Sequence, residues 1–191
     1  MNTLLVDRAI IFATKAHHDT ERRGKGFPYI IHPLEAMTIV ATMTNDSEML
    51  AAAVLHDTIE DTDATFDDIK REFGERVAFL VANETDVKQA PDGQKLPWKD
   101  RKQRDLDNLR NASREVKIIA LGDKLSNMRA IARDYHTLGD SLWQMFHIKD
   151  KATHAWRYRS LRDALGELSD TFAFQEFDRL VNDTFGQADT E

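Results

Sequence analysis

Between Pro33 and Gly74 the chain holds neither glycine nor proline. A sandwich or barrel would need several turns across that span, and turns draw heavily on those two residues, so the span reads as helix. The apolar spacing upstream agrees: Leu5, Ala9, Phe12 and Ala16 recur at intervals of four, three and four residues, one face of a helix. This first helix is expected to end near His18. A basic, glycine-containing loop, DTERRGKGFPYI, follows. Pro33 suits the first turn of a second helix running to about Thr42, because its missing N–H would have no partner there. Asn45 and Asp46 predict a turn, Ser47 an N-cap, and SEMLAAAVLHDTIED a continuous helix whose alanines and leucines imply deep burial.

Thr65 and Asp68 have capping-box spacing, with Asp in place of the usual Glu or Gln, at the start of TFDDIKREF, and Gly74 is its stop. A helix is expected over about 75–83. The stretch DVKQAPDGQKLP holds two of the chain's four prolines and reads as an internal loop. Beyond it, WKDRKQRDLDNLRNA is heavily charged and EVKIIALGDKLSNMRAIARDY carries the most regular apolar pattern. Further helices are expected over about 141–147, 150–167 and 172–185. With 191 residues, 41% of them hydrophobic, the reading is one all-α domain over 1–191, without internal repeats.

Charge and composition narrow the chemistry. The chain carries 26 Lys+Arg against 33 Asp+Glu, a formal net charge of −7, which opposes sequence-independent binding to DNA or RNA. No stretch approaches the roughly 20 apolar residues of a membrane span, and Asp7 and Arg8 break any signal-peptide order at the N-terminus. The expectation is a cytoplasmic protein with neither nucleic-acid nor membrane partners. There is no cysteine, so thiolate metal sites and cysteine nucleophiles are excluded, and any metal must bind nitrogen and oxygen.

Three short segments carry candidate chemistry. His56-Asp57 follows AAAVL directly, and Glu60, Asp61 and Asp63 crowd behind it; a solvated acidic helix end would explain these carboxylates, as would a cation that neutralises them. Asp123 lies inside the apolar run IIALGDKLSNM and has to find a partner; Lys124 or Arg129 would serve, and Asn127 lies four residues on. His32 sits in PYIIHP. Together His32, His56, Asp57 and Asp123 offer two imidazoles and two carboxylates to one centre, a donor set suited to Mn²⁺, Fe²⁺ or Zn²⁺.

The segments RRGKGFPYIIHP, AAAVLHDTIEDTDAT with the following FGERV, and ALGDKLSNMRAI resemble the HD-domain phosphohydrolases. The likeness is to the RelA/SpoT-type hydrolase domain and its stand-alone small alarmone hydrolases, with KLPWKDRK as a fourth block. It spans about 5–165, leaving a C-terminal helix at about 172–185. It implies a helical bundle of about 8–10 helices in which His32, His56, Asp57 and Asp123 hold one divalent ion, usually Mn²⁺. Glu60 and Asp61 match the acidic pair that orients and deprotonates water. Arg23 matches an arginine that packs on the purine, and Asn127 a residue contacting the nucleoside. The implied reaction is hydrolysis of the 3′-pyrophosphate of guanosine tetra- or pentaphosphate to GDP or GTP and pyrophosphate, in an enzyme without a synthetase. Lys25 and Lys151 are further candidates for holding phosphates.

Two positions depart from the pattern. Gly24 follows Arg23 where a second basic residue is common, with Lys25 one place later. Gly122 precedes Asp123 where alanine is usual, at a helix-interior cost of about 1 kcal/mol; it either widens the pocket slightly or does nothing. The alternatives are an adenosine alarmone as substrate, removal of the 2′-phosphate of NADPH, and a catalytically silent nucleotide-binding module. The oligomeric state stays open, a homo-oligomer included.

Overall fold

The computed structural model describes residues 2–22, 24–85 and 96–186. Its α-helices are α1 (Thr3–Ala16), α2 (Ile31–Val40), α3 (Ser47–Leu55), α4 (Thr58–Asp61), α5 (Phe66–Phe73), α6 (Glu75–Ala82), α7 (Trp98–Arg110), α8 (Arg114–Leu138), α9 (Lys151–Ala164) and α10 (Phe172–Phe185). Two 3₁₀ segments, Gly139–Met145 and Gly166–Leu168, flank α9. Among the described residues the one extended pairing is an isolated bridge between Glu21 and Pro28. The protein is therefore all-α, and no described helix is long and apolar enough to cross a membrane.

Most sequence expectations hold within a few residues, and the exceptions have local causes. α1 stops at Ala16 rather than His18, and α2 begins two residues before Pro33, which remains in its first turn. The cap of α3 is Asp46 and not Ser47: the Asp46 carboxylate accepts from the N–H groups of Glu48 and Met49, while Ser47 Oγ accepts from the Asn2 N–H. The segment expected over about 141–147 is a 3₁₀ helix, and α10 matches its expected range. Thr65 and Asp68 form the reciprocal capping box. Of the expected internal loop, residues 86–95 lie outside the described residues.

The helix expected through SEMLAAAVLHDTIED breaks between α3 and α4. Two side chains compete for its carbonyls there. His56 Nδ1 lies 2.8 Å from the Ala53 carbonyl oxygen, and the Thr58 hydroxyl donates to the Leu55 carbonyl at 2.7 Å. Such back-bonding occupies acceptors that the next turn would use. The chain turns at His56 and Asp57 as a result, and both side chains face inward from the junction.

The 25-residue α8 is the spine of the core, with α2, α3, α6 and α10 packed around it. Leu121, Leu125 and Met128 on α8 are wholly buried, as are Leu55 and Phe177 from α3 and α10, each stabilising the fold by about 1.5–3 kcal/mol through burial. Gly122 has a specific reason. A Cβ there would lie 2.6 Å from Val40 Cγ2 and 2.9 Å from the Ala36 carbonyl oxygen, so glycine permits the close approach of α2 to α8. Instead of widening a pocket, it draws the helix bearing His32 against the helix bearing Asp123.

Candidate metal centre and its cavity

Three elements deliver the central side chains: α2 brings His32, the α3–α4 junction brings His56 and Asp57, and α8 brings Asp123. His32 Nε2 lies 3.1 Å from Asp123 Oδ1 and 3.5 Å from Asp57 Oδ2. His56 Nε2 lies 3.0 Å from Asp57 Oδ2 and 3.6 Å from Asp123 Oδ1. Within that group the ligand atoms of His32, His56 and Asp57 all fall within 4.8 Å of one another. Both imidazoles are buried, and both direct Nδ1 away from the centre, toward Ser126 Oγ and the Ala53 carbonyl.

At this centre one imidazole nitrogen is left over. His56 Nε2 is buried and has no hydrogen-bond partner despite the nearby carboxylates. A buried polar atom in that state calls for an explanation, and a cation is the simplest. Two inward imidazole nitrogens and an Asp57 oxygen lie close enough together to fit a divalent ion of the Mn²⁺, Fe²⁺ or Zn²⁺ type, and Asp123 Oδ1 borders both imidazoles.

The electrostatics follow from burial and from the charges packed together here. Burial alone would depress the His56 imidazole, but the carboxylates of Asp57 and Asp123 hold it well above the ordinary histidine value. At His32 burial prevails and the group sits below that value, with Asp123 opposing. Burial lifts the carboxyls of Asp57 and Asp123, and neighbouring positive charge outweighs it at both: His56 at Asp57, Lys124 first at Asp123. Two buried carboxylates thus require compensating positive charge.

Of the two pairings open to Asp123, the structure takes Lys124, which also reaches Glu84 at 3.4 Å. Burial pushes the Glu84 carboxyl up, with Lys124 opposing. Arg129 instead binds Glu35 and Glu176. Asn127 Nδ2 donates to Asp123 Oδ1, and its amide oxygen accepts from Arg22.

The centre opens into a cavity of about 420 Å³. His32, Asp57, Glu60, Asp123 and Asn127 all line it, with Arg22, Lys102, Arg104, Lys124 and Arg157 supplying a basic wall. Asp61 stands outside this lining, exposed, and accepts from the Tyr29 hydroxyl at 3.2 Å. That same hydroxyl donates to Asp57 Oδ2 at 2.6 Å, and burial followed by the Asp57 charge raises the phenol strongly. Lys25 is paired with Asp134 and borders a smaller cavity of about 90 Å³ that Arg22 also lines. Lys151 binds the Tyr135 hydroxyl at 2.7 Å and Asp140 at 3.2 Å, away from the main cavity. Arg23 lies outside the described residues.

Sequence reasoning ranks Arg23 and Lys25 ahead of Arg22 among the nearby cations and passes over Tyr29. The loop before α2 folds back through Arg22 N–H to Phe27 O and Tyr29 N–H to Thr20 O. This turns Arg22 into the cavity, its guanidinium 5.3 Å from the Tyr29 ring centroid. A phenol three residues before His32 was the available signal.

Comparison with known proteins adds four likenesses. The family profile of the HD domain matches residues 9–146. A guanosine-3′,5′-bis(diphosphate) 3′-pyrophosphohydrolase of Aquifex aeolicus is 39% identical over 129 residues, 66% of this chain and 18% of that protein. The chain thus spans about a fifth of that relative's length. A protein of Danio rerio with the same enzyme name, MESH1, is 33% identical over 135 residues, 69% of this chain and 72% of that one. The solved structure of a metazoan ortholog of SpoT, described as hydrolysing ppGpp, shares the fold with a TM-score of 0.76 at 24% identity, over 96% of this chain and 97% of that one.

Proposed function

The chain belongs to the HD-domain family, and from that footing we propose that it is a metal-dependent pyrophosphohydrolase of guanosine tetra- and pentaphosphate, releasing pyrophosphate from the 3′ position to leave GDP or GTP. The observation that carries the reading is the buried His56 Nε2, unanswered by any hydrogen bond, at the meeting point of His32, Asp57 and Asp123 on a cavity with a basic wall. The names of the Aquifex and Danio relatives support the substrate class.

In this reading His32, His56, Asp57 and Asp123 hold one divalent ion, Mn²⁺ in our proposal. Such an ion supplies positive charge for a phosphoryl oxygen and makes water more acidic. Glu60, on the cavity lining, takes the proton from the attacking water. Asp61 acts with Tyr29, whose hydroxyl ties it to Asp57. Asn127 and Arg22, already bonded to each other, receive the nucleoside. Among the cations the proposal relies on Arg22 and Lys124 ahead of Lys25 and Lys151, which are ion-paired outside the main cavity.

The test is an Mn²⁺-supplemented assay with guanosine tetraphosphate, its adenosine analogue and NADPH, resolving pyrophosphate from orthophosphate. Pyrophosphate from the guanosine compound, lost with EDTA and in Asp57→Ala, is the expected result. Orthophosphate from NADPH alone would replace the substrate assignment, and no turnover by metal-loaded protein would leave a nucleotide-binding module.

A further inference from the structure

The two inward imidazoles are oriented by different means. His56 closes a bond to the Ala53 carbonyl, three residues back on its own helix. His32 is held differently. It is the second residue of α2, and the carbonyl three residues behind it, on Tyr29, already accepts from the His32 backbone N–H. Its Nδ1 reaches another helix instead, and lies 2.8 Å from Ser126 Oγ on α8.

The Ser126 hydroxyl is committed on its far side, donating to Glu35 Oε2 at 2.8 Å. A hydroxyl has one proton, so with that proton on the carboxylate it can only accept from His32. Nδ1 must therefore carry the imidazole hydrogen, and the lone pair of the neutral ring lies at Nε2, facing Asp57 and Asp123. Glu35 is itself held: its other oxygen accepts from Arg129 at 3.1 Å, and Arg129 makes two parallel bonds to Glu176 on α10, at 2.8 and 2.6 Å. Ser126 is 2% exposed, so the His32 end of this chain of bonds works in a low dielectric, where such bonds are strongest. Ser126 stands one turn beyond Gly122, whose missing side chain lets α2 approach α8.

We infer that Ser126 and Glu35 are positioning residues of the metal centre, fixing the tautomer and direction of His32 and linking it through Arg129 to α10. The inference rests on the reading of this centre as a divalent-ion site. Partners of this kind raise metal affinity by about 10–100-fold.

The test compares the intact protein with Ser126→Ala, Ser126→Thr and Glu35→Gln. The Mn²⁺ dissociation constant is measured from the electron paramagnetic resonance signal of free Mn²⁺, and thermal melting in EDTA confirms that each variant folds. Ser126→Ala should weaken Mn²⁺ binding about 10–100-fold, Glu35→Gln should weaken it less, and Ser126→Thr, which keeps the hydroxyl, should restore it. In the Zn²⁺-loaded protein, proton spectra should show slowly exchanging imidazole Nδ1–H signals from both His32 and His56. Ser126→Ala should lose the His32 signal and keep that of His56. Unchanged affinity together with an intact His32 signal would overturn the inference while leaving the metal centre standing. An intact protein that binds neither Mn²⁺ nor Zn²⁺ would overturn the centre and the inference together. Should Ser126→Ala fail to fold, Glu35→Gln carries the same comparison.

Discussion

Two places in this molecule gather opposite charges around one point, and they do so on different terms. On the surface, Arg76 of α6 meets Asp46 and Glu48 at the start of α3 and Glu115 at the start of α8, with N–O distances of 2.8, 2.5 and 2.8 Å. Each of these side chains keeps between 34% and 48% of its exposure. Inside, His32, His56, Asp57 and Asp123 converge almost out of water, and one of their nitrogens finds no hydrogen bond. The outer cluster answers itself: its acids cap or flank helix N-termini, where negative charge is favoured in any case, and one guanidinium joins them. The inner cluster leaves room for a cation, and the proposed divalent ion would complete it. An ionic cluster satisfied from within staples helices, whereas a buried one that leaves a lone-pair nitrogen unanswered is suited to a cation.

The sharpest way to break this contrast is to remove what the inner cluster is proposed to hold. EDTA should reduce pyrophosphate release to the assay background, and added Mn²⁺ should restore it. Asp57→Asn should show the same loss without recovery. A chelated protein at full rate would end the metal reading. The next largest effect separates holding the ion from handling the proton: Glu60→Gln should keep Mn²⁺ affinity while kcat falls about 10²–10⁴-fold. An unchanged rate would remove Glu60 from catalysis.

The inner cluster was more legible in the sequence than its surroundings. His56-Asp57 and Asp123 announce themselves because charged residues stand inside apolar runs, and PYIIHP places a third candidate before a helix-starting proline. What could not be read were contacts made across helices. Whether Arg22 or Arg23 enters the cavity depends on which backbone N–H groups close the loop before α2. Ser126 and Glu35 are ordinary helix residues until α2 and α8 are packed. The break at His56 escaped periodicity because it comes from side chains competing for carbonyls, which no apolar pattern records. The Asp46 cap went to its neighbour Ser47 because both residue types cap well, and only the pairing of Ser47 with Asn2 distinguishes them.

Gly122 ties core packing to the inner centre, since the close approach of α2 to α8 that it allows brings His32 toward Asp123. Gly122→Ala should destabilise the protein by about 1–3 kcal/mol through overpacking, against about 1 kcal/mol of helix propensity gained. A net loss in denaturant titration, accompanied by weaker Mn²⁺ binding, is expected. A stabilised variant with unchanged affinity would show that α2 and α8 adjust freely, and that the spacing does not govern the centre.

The smallest effect tests the outer cluster on its own terms. Arg76→Ala should cost about 1 kcal/mol of stability, the range of partly exposed ion pairs, and leave turnover unchanged. The pH dependence carries the discriminating sign. The hydrogen bond from Arg76 holds the Asp46 carboxyl below its usual value, so the folded protein binds fewer protons there than the unfolded chain. The stabilisation is therefore fully present above the unfolded value of 3.8 and is lost as pH falls through the lower folded value. The gap in melting temperature between the intact protein and Arg76→Ala should stand at neutral pH and narrow at pH about 3. A gap of equal size at both would mean that Arg76 acts by packing its aliphatic stem, and the contrast between a self-satisfied charge cluster and an unsatisfied one would lose its outer half.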